Sequence, residues 1–312
     1  MKFPDSKLYL CLLIFLSSSI LIISSCSEEK QQYSPSTFHE IKGDDVFQKV
    51  SAFYSLGPKV SGTDGSRKAA EYLCKELTRM GYVPETDEWK QDTPAGKGTV
   101  FRNISATIAG DKTDFLIIGA HYDTKKLDTV PDFAGANDSA SGVGVLLAFM
   151  ETLKKSNSKP LLTLRIFFFD GEEAFIAYTD KDGLYGSRRE ASKLKASGLT
   201  SKCRAAIIID MVGDKNLNIS IPQNSDPILT EKIIAIAESS AWSTYVARGS
   251  TAITDDHLPF TELGIPAIDL IDFEYGEGNR YWHTAGDTMD KISPESLGIT
   301  ANLLAKLAFS LK

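Results

Sequence analysis

Apolar runs of strand length recur along the chain from residue 115 onwards, separated by segments with helical periodicity. The four clearest runs are FLIIGA (115–120), LTLRIFFF (162–169), AAIIID (205–210) and IPAIDLI (265–271). Uninterrupted apolar runs of this length are typical of strands that are buried on both faces, as in parallel sheets. The pattern therefore predicts a sheet whose two faces are both covered.

Three segments between and after these runs have the features of helices. Residues 139–155 start at a serine and end in two lysines, residues 227–240 repeat apolar positions at helical spacing, and residues 293–312 open with Ser-Pro-Glu. Serine before a helix and cations in its last turn are favourable end signals. The alternation of strands and helices predicts an α/β fold, a three-layer α/β/α sandwich with a mostly parallel, mixed central sheet.

The N-terminal residues have a different composition from the rest. Lys2 and Lys7 precede the apolar stretch LYLCLLIFLSSSILII (8–23), which leads through two serines to Cys26. Basic residues, an apolar core and small residues at the exit are typical of an export signal. The cysteine at the exit resembles a bacterial lipobox, so residues 1–26 are interpreted as a lipoprotein signal peptide with Cys26 as the lipid anchor. A membrane-spanning anchor is the alternative, but the run is short and interrupted by serines.

Residues 27–42 are polar and lack apolar periodicity, which indicates a flexible tether. Residues 43–312 are then expected to form a single folded domain. The expected location is a membrane surface, periplasmic or at the cell surface, with the lipid anchor as the sole membrane contact.

The charge and the cysteines narrow the possible functions. The 312-residue chain has a net charge of -7, which argues against nucleic acid as a partner. Two of its four cysteines fall in the export signal, which leaves Cys74 and Cys203. They could pair or remain free thiols, and they do not form the C-x-x-C pattern of a thiolate metal site.

Each buried run ends in polar residues with catalytic or metal-binding chemistry. Because ligands in open α/β sheets bind beyond the carboxyl ends of the strands, these side chains are expected to converge. They are His121, Asp123, Asp138, Asp170, Glu172, Glu173, Asp210 and His283. Carboxylates beside an apolar sheet require a neutralising cation, and a mixed histidine and carboxylate set suits zinc. One member of the Glu172–Glu173 pair would remain unligated to move protons. Residues 43–312 are therefore expected to form a single zinc-dependent catalytic domain.

Five motifs together resemble the zinc-dependent exopeptidases of the bacterial leucyl aminopeptidase type, over roughly residues 43 to 312. They are GAHYDT (119–124), GANDSASGVG (135–144), FFDGEEAF (168–175), IIIDMVG (207–213) and YWHTAGDTMDKIS (281–293). The resemblance implies two zinc ions that share Asp138, and Glu172 as the general base. It implies the following further ligands: Glu173 and His283 for one ion, His121 and Asp210 for the other.

Three features resemble a narrower group, the animal-type glutaminyl-peptide cyclotransferases. They are AFIAYTDKDGLYGSRREA (174–191), TDDHLPF (254–260) and the tryptophan at 282. The resemblance implies the following roles: a single zinc held by Asp138, Glu173 and His283, a proton network of Glu172, Asp210 and Asp255, and a substrate slot walled by Tyr178 and Trp282. GANDSASG (135–142) and DFEYGEGNRY (272–281) remain closer to the peptidases.

Three hypotheses follow. The first is a one-zinc cyclotransferase that converts N-terminal glutamine of peptides or proteins into pyroglutamate and releases ammonia. The second is a di-zinc aminopeptidase that removes N-terminal residues from the same kind of partner. The third is a metal-free binding module, which would be expected to lack ligand positions; in this chain every one is occupied.

Overall fold

The computed structural model describes residues 38–156 and 158–312. The helices of this part are α1 (Gly43–Tyr54), α2 (Asp64–Arg79), α3 (Ala140–Ser156), α4 (Tyr185–Ser197), α5 (Pro227–Ser239), α6 (Leu258–Thr261) and α7 (Pro294–Ser310). The strands are β1 (Glu85–Thr93), β2 (Gly96–Ile108), β3 (Lys112–His121), β4 (Leu162–Phe169), β5 (Cys203–Asp210), β6 (Ile219–Ile221), β7 (Val246–Arg248) and β8 (Ala267–Ile271).

The main sheet has the strand order β1-β2-β4-β3-β5-β8. The four strands β4, β3, β5 and β8 run parallel, whereas β1 and β2 form an antiparallel hairpin that is added to β4. The parallel strands are almost wholly buried along their length, as expected for strands covered on both faces. Strands β6 and β7 pair separately in a small parallel sheet.

Helices cover both faces of the sheet. The larger apolar core packs α1, α2, α3, α5 and α7 against one face, and it includes Phe53, Leu146 and Leu304, all of which are fully buried. The smaller core lies on the opposite face, where Leu194 of α4 and Phe260 of α6 pack against Phe169 and other strand residues. These two cores confirm the predicted three-layer α/β/α sandwich.

Capping residues define where several helices begin. The Asp226 side chain accepts hydrogen bonds from the first turn of α5, and the Ser293 hydroxyl accepts one from Ser296 N at the start of α7. Each of these two helices has proline in its first turn, where the missing N–H costs no hydrogen bond. Such caps satisfy amide groups that have no partner within the helix.

The structure confirms the predicted strands and helices and adds others. The four apolar runs became β3, β4, β5 and β8, with ends shifted by up to a few residues, and the three helical segments became α3, α5 and α7. The pattern of apolar residues did not indicate the β1–β2 hairpin or helices α1 and α4.

The predictions for residues 1–37 lie outside the described residues, so the export signal, the Cys26 anchor and most of the tether stay predictions. The predicted boundary between the tether and the catalytic domain at residue 43 also stays a prediction. Within the described ranges, no helix is both long and apolar enough to cross a bilayer. Cys74 and Cys203 are both free thiols, which decides the pairing that the sequence left open.

Candidate functional site

The carboxyl ends of the parallel strands place most of the predicted site residues. His121 is the last residue of β3, Asp210 is the last residue of β5, and the Glu172–Glu173 pair follows β4. Asp138 lies two residues before α3, and His283 lies in the long loop after β8. Parallel strands bring their carboxyl ends to one edge of the sheet, so these segments meet there.

One group of potential metal ligands consists of Asp138, Glu173 and His283, whose ligand atoms all lie within 4.8 Å of one another. His283 Nε2 is 2.9 Å from Glu173 Oε1 and 3.2 Å from Asp138 Oδ2. Burial lowers the pKa of His283, but its hydrogen bonds to Asp138 and Glu173 outweigh this effect and raise the pKa to about 10. The two carboxylates stabilise a positive charge on the imidazole, and they would stabilise a divalent cation in the same place. The group therefore fits a metal site.

A second group consists of His121, Asp138 and Asp210. His121 Nε2 is 3.1 Å from Asp210 Oδ1 and 3.3 Å from Asp138 Oδ1. Asp138 therefore presents one carboxylate oxygen to each histidine, as the resemblance to two-zinc exopeptidases implied. Burial lowers the pKa of His121, but the surrounding carboxylates raise it well above its usual range.

Glu172 lies beside both groups without belonging to either. Its Oε2 is 4.0 Å from His121 Nδ1, and its side chain is buried. Burial, together with the charges of Glu173, Asp255 and Asp256, raises the pKa of Glu172 well above the usual range of a carboxyl. A carboxylate with raised basicity next to a cation site has the properties of a general base.

Two further aspartates orient the loops that carry these residues. Asp123 accepts hydrogen bonds from Glu172 N at 3.1 Å and from Glu173 N at 3.3 Å. Asp287 accepts hydrogen bonds from Asn137 N at 2.8 Å and from Asp138 N at 3.2 Å. Both aspartates hold the backbone of the site loops, and Asp123 Oδ1 also lies 3.5 Å from His121 Nδ1, so their contribution is to position the ligands.

Asp170 directly follows β4 but belongs to neither ligand group. Its carboxylate accepts hydrogen bonds from Ser61 Oγ at 2.6 Å, Ser66 Oγ at 3.2 Å and Arg102 N at 2.9 Å. The carboxylate therefore ties the loop before α2 to strands β2 and β4. Of the three acidic residues that follow this strand, Glu173 belongs to a ligand group, Glu172 lies beside both groups, and Asp170 has a structural contact instead.

Asp210 and Asp255 line the same cavity as Glu172. Burial and neighbouring carboxylates raise the pKa of Asp210 to about 7, although His121 opposes the shift. One Asp255 oxygen accepts a short hydrogen bond from Asp256 N, and the other is buried without a hydrogen-bond partner among the described residues. The structure thus places Asp255 in the site, and its role in a proton network with Glu172 stays a prediction.

The cavity has a volume of about 250 Å³ and also contains the two predicted substrate-binding aromatics. The Trp282 ring stacks on His283, with 4.1 Å between ring centroids, and meets Phe273 edge-on at 5.0 Å. Tyr178 reaches into the cavity with its hydroxyl 3.0 Å from Glu172 Oε1. A narrow pocket with apolar walls and an acidic floor can hold a small amine-bearing group against Glu172.

The glutamate pair can reach the cavity because Gly171 turns the chain after β4. Gly171 has φ of +77°, and a Cβ at this position would lie 2.6 Å from a carbon of the Phe101 ring. We expect Gly171→Ala to lower the free energy of unfolding by more than the roughly 1–2 kcal/mol that a left-handed alanine costs. Turnover should fall as well, because the turn carries Glu172. Chemical denaturation and steady-state kinetics measure the two effects.

Gly264→Ala is the matched control for this prediction. Gly264 has φ of +75°, and a Cβ there would meet no atom within 4 Å. In the control variant the free energy of unfolding should fall only by the cost of the left-handed backbone conformation, and turnover should be unchanged. Equal losses in the two variants would show that the contact with Phe101 has no effect.

Several residues around the site have roles that only the structure shows. Asp123 and Asp287 position backbone amides of the site loops, and Lys125 contacts Glu173. Asp269 is fully buried in β8, and its signal in the sequence is an acidic residue inside an apolar run.

Comparisons of the sequence and the structure with known proteins identify a family and several similar proteins. The family model described as Peptidase family M28 matches residues 103–308. A glutaminyl cyclase of an Acidobacteriales bacterium is 33% identical, with a TM-score of 0.82, and the match covers 89% of this chain and 96% of that one. The glutaminyl cyclase of Porphyromonas gingivalis is 27% identical, with a TM-score of 0.77 and coverage of 86% and 98%.

A curated relative agrees with these structures. The glutaminyl-peptide cyclotransferase of Drosophila melanogaster is 28% identical over 276 residues, which cover 80% of this chain and 77% of the relative. The family match spans more than half of the chain and all of the strand-end residues described above. The chain therefore belongs to peptidase family M28.

Proposed function

We propose that the protein is a glutaminyl-peptide cyclotransferase that converts the N-terminal glutamine of peptides into pyroglutamate and releases ammonia. The observation that carries this proposal is the arrangement of Glu172 beside the Asp138–Glu173–His283 group, inside a small cavity walled by Trp282. The similarity to glutaminyl cyclases over most of the chain supports the same reaction.

The reaction joins two groups of one glutamine residue. The α-amine attacks the γ-carbonyl carbon, a C–N bond closes the five-membered ring, and the bond from this carbon to the amide nitrogen breaks. Ammonia leaves, so one proton must pass from the attacking amine to the leaving nitrogen. Glu172 can carry this proton, because its buried carboxylate has raised basicity and reaches the cavity.

Zinc fits the Asp138–Glu173–His283 group, since a histidine nitrogen and two carboxylates with an open side are typical of catalytic zinc sites. When bound there, zinc would supply a Lewis acid for the γ-carbonyl oxygen. The protein's own residues provide the rest. The cavity limits the conformations of the glutamine side chain, which brings the amine close to its target carbon.

One observation favours a second candidate, a di-zinc aminopeptidase. His121, Asp138 and Asp210 form a second group of ligands that shares Asp138 with the first. Such a pair of sites would place a second cation beside Glu172, where the glutamate could take a proton from water instead of from an amine. The number of bound ions therefore distinguishes the two reactions.

An assay of the purified protein on a glutaminyl dipeptide and on a leucyl arylamide, with the metal content measured on the same sample, tests the proposal. We expect ammonia release from the first substrate, little cleavage of the second, and one zinc per chain. Arylamide cleavage with two zinc ions per chain would instead establish the aminopeptidase.

Replacement of His121 gives a second test. For a cyclotransferase with one zinc, His121→Ala should keep a full equivalent of zinc, because His121 is absent from the Asp138–Glu173–His283 group. For an aminopeptidase with two zinc ions, the same variant should lose one of them. Metal analysis of the dialysed variant and of the wild type reads out this difference.

The cellular location is also a proposal. The lipobox-like sequence ending at Cys26 supports a bacterial lipoprotein that acts on exported peptides at a membrane surface. A Cys26→Ser variant that stays associated with membranes after high-salt washing would refute the acyl anchor.

A further inference from the structure

Two side chains that belong to neither ligand group and take no part in the proton transfer contact the glutamate pair directly. Lys125 Nζ lies 3.3 Å from Glu173 Oε2 and 2.5 Å from the carbonyl oxygen of Ala174. The Tyr178 hydroxyl lies 3.0 and 3.1 Å from the two carboxylate oxygens of Glu172 and 3.4 Å from Glu173 Oε2. The ammonium group also lies 5.4 Å from the centre of the Tyr178 ring, so the four side chains form one contact cluster.

The two oxygens of Glu173 have different partners in this cluster. Oε1 faces His283 Nε2 at 2.9 Å, whereas Oε2 faces Lys125 Nζ and the Tyr178 hydroxyl. The Tyr178 hydroxyl has one proton and lies closer to Glu172, so Lys125 is the main donor to Glu173 Oε2. A donor on one carboxylate oxygen restricts rotation of the group and directs the other oxygen towards the metal position. Lys125 can serve in this way because its side chain is 15% exposed and its ammonium group is held by a backbone carbonyl.

Tyr178 lies on a loop that is itself fixed. The buried Asp182 carboxylate accepts hydrogen bonds from Phe175 N at 2.8 Å, Ile176 N at 2.8 Å and Ala177 N at 3.1 Å. A Cβ on Gly183 would lie 2.6 Å from the Tyr178 ring, so the loop packs closely against this side chain. The phenol is therefore held by the loop and can restrict the long, flexible side chain of Glu172.

We propose that Lys125 and Tyr178 are positioning residues with separate tasks on the adjacent glutamates. Lys125 holds Glu173 so that a single oxygen faces the cation, and Tyr178 orients the Glu172 carboxylate for proton transfer. The part that concerns Tyr178 rests on the proposed function, whereas the part that concerns Lys125 requires only that the site binds zinc.

The experiment compares Lys125→Met and Tyr178→Phe with two matched controls. Lys126→Met removes the neighbouring lysine, which is 61% exposed and paired with Asp128. Tyr245→Phe removes a hydroxyl that lies 3.4 Å from Glu295, outside the cavity. For each protein we would measure the zinc dissociation constant of the metal-free form by competition with a chromophoric chelator, kcat and KM on a glutaminyl dipeptide, and thermal unfolding.

We expect each of the two substitutions to change a different measurement. Lys125→Met should weaken zinc binding by about 10–100-fold, the usual effect of losing a partner of a metal ligand. Tyr178→Phe should keep the zinc affinity and KM and lower kcat by about tenfold or more, as expected for the loss of a hydrogen bond to a charged group. Both controls should match the wild type in every measurement.

Lys125→Gln removes the charge with a side chain that is polar and one atom shorter, and it serves where Lys125→Met does not fold. Wild-type zinc affinity in either folded variant would overturn the role of Lys125. A normal kcat in Tyr178→Phe, or a loss of kcat explained by a matching rise in KM, would overturn the role of Tyr178. If the wild-type protein releases no ammonia from glutaminyl peptides, the proposed function fails, and the zinc affinities still decide the role of Lys125.

Discussion

Replacement of Glu172 by glutamine is expected to lower kcat by about 10²- to 10⁴-fold, the usual contribution of a general acid–base group. The amide has nearly the shape of the carboxylate but cannot accept the proton of the attacking amine. The backbone of this residue should remain in place, because Asp123 holds Glu172 N and Glu173 N at 3.1 and 3.3 Å. Zinc content and thermal stability are therefore expected to stay near the wild-type values.

Steady-state kinetics on a glutaminyl dipeptide, together with metal analysis, test this prediction. Glu262→Gln is the control, because Glu262 is exposed at the end of α6. A Glu172→Gln variant that keeps its activity would remove Glu172 as the base. A variant that loses its zinc would show that Glu172 acts as a ligand.

Replacement of His283 by alanine is expected to remove both the activity and the response of stability to zinc. A folded protein gains about 2.7 kcal/mol from a ligand at 100 times its dissociation constant. The variant should show no such gain, since two carboxylates without the imidazole form a weak zinc site. Activity should fall by about a hundredfold or more, because a Lewis acid contributes several kcal/mol to such reactions.

Thermal unfolding with and without added zinc, for the wild type and the variant, measures the first effect. His39→Ala is the control, since His39 is exposed near the start of the described chain. A chelator should lower the stability of the wild type and of the control but leave His283→Ala unchanged. An equal response of all three proteins to zinc would place the cation elsewhere.

The apolar pattern predicted those parts of the fold in which burial dictates the residue type. The strands that became β3, β4, β5 and β8 are buried on both faces and are apolar almost throughout. Strand β1, with the sequence ETDEWKQDT, is an edge strand that is mostly exposed, so its residues carry no such pattern. It forms because it pairs along most of its length with β2, a contact that depends on tertiary context.

Much of the candidate site could also be predicted, because topology alone brings the ends of parallel strands together. Asp138, Glu173 and His283 converge as the strand-end argument required. Asp170 could not be separated from the glutamate pair by topology, since only the turn at Gly171 sends these neighbours in different directions. Lys125 could not be predicted either, because a lysine in a loop gives no periodic signal, and its role depends on a contact with Glu173.

The hydrogen bond between His283 and Glu173 joins positions that are 110 residues apart in the chain. A growing polypeptide that has emerged only as far as β5 would carry Asp138 and Glu173 without their third partner. Such an incomplete chain would lack the third ligand of the Asp138–Glu173–His283 group, although it would already carry His121, Asp138 and Asp210. Metal at the Asp138–Glu173–His283 group would then require that the C-terminal segment has been synthesised and has docked, and chains truncated before this loop would lack that site.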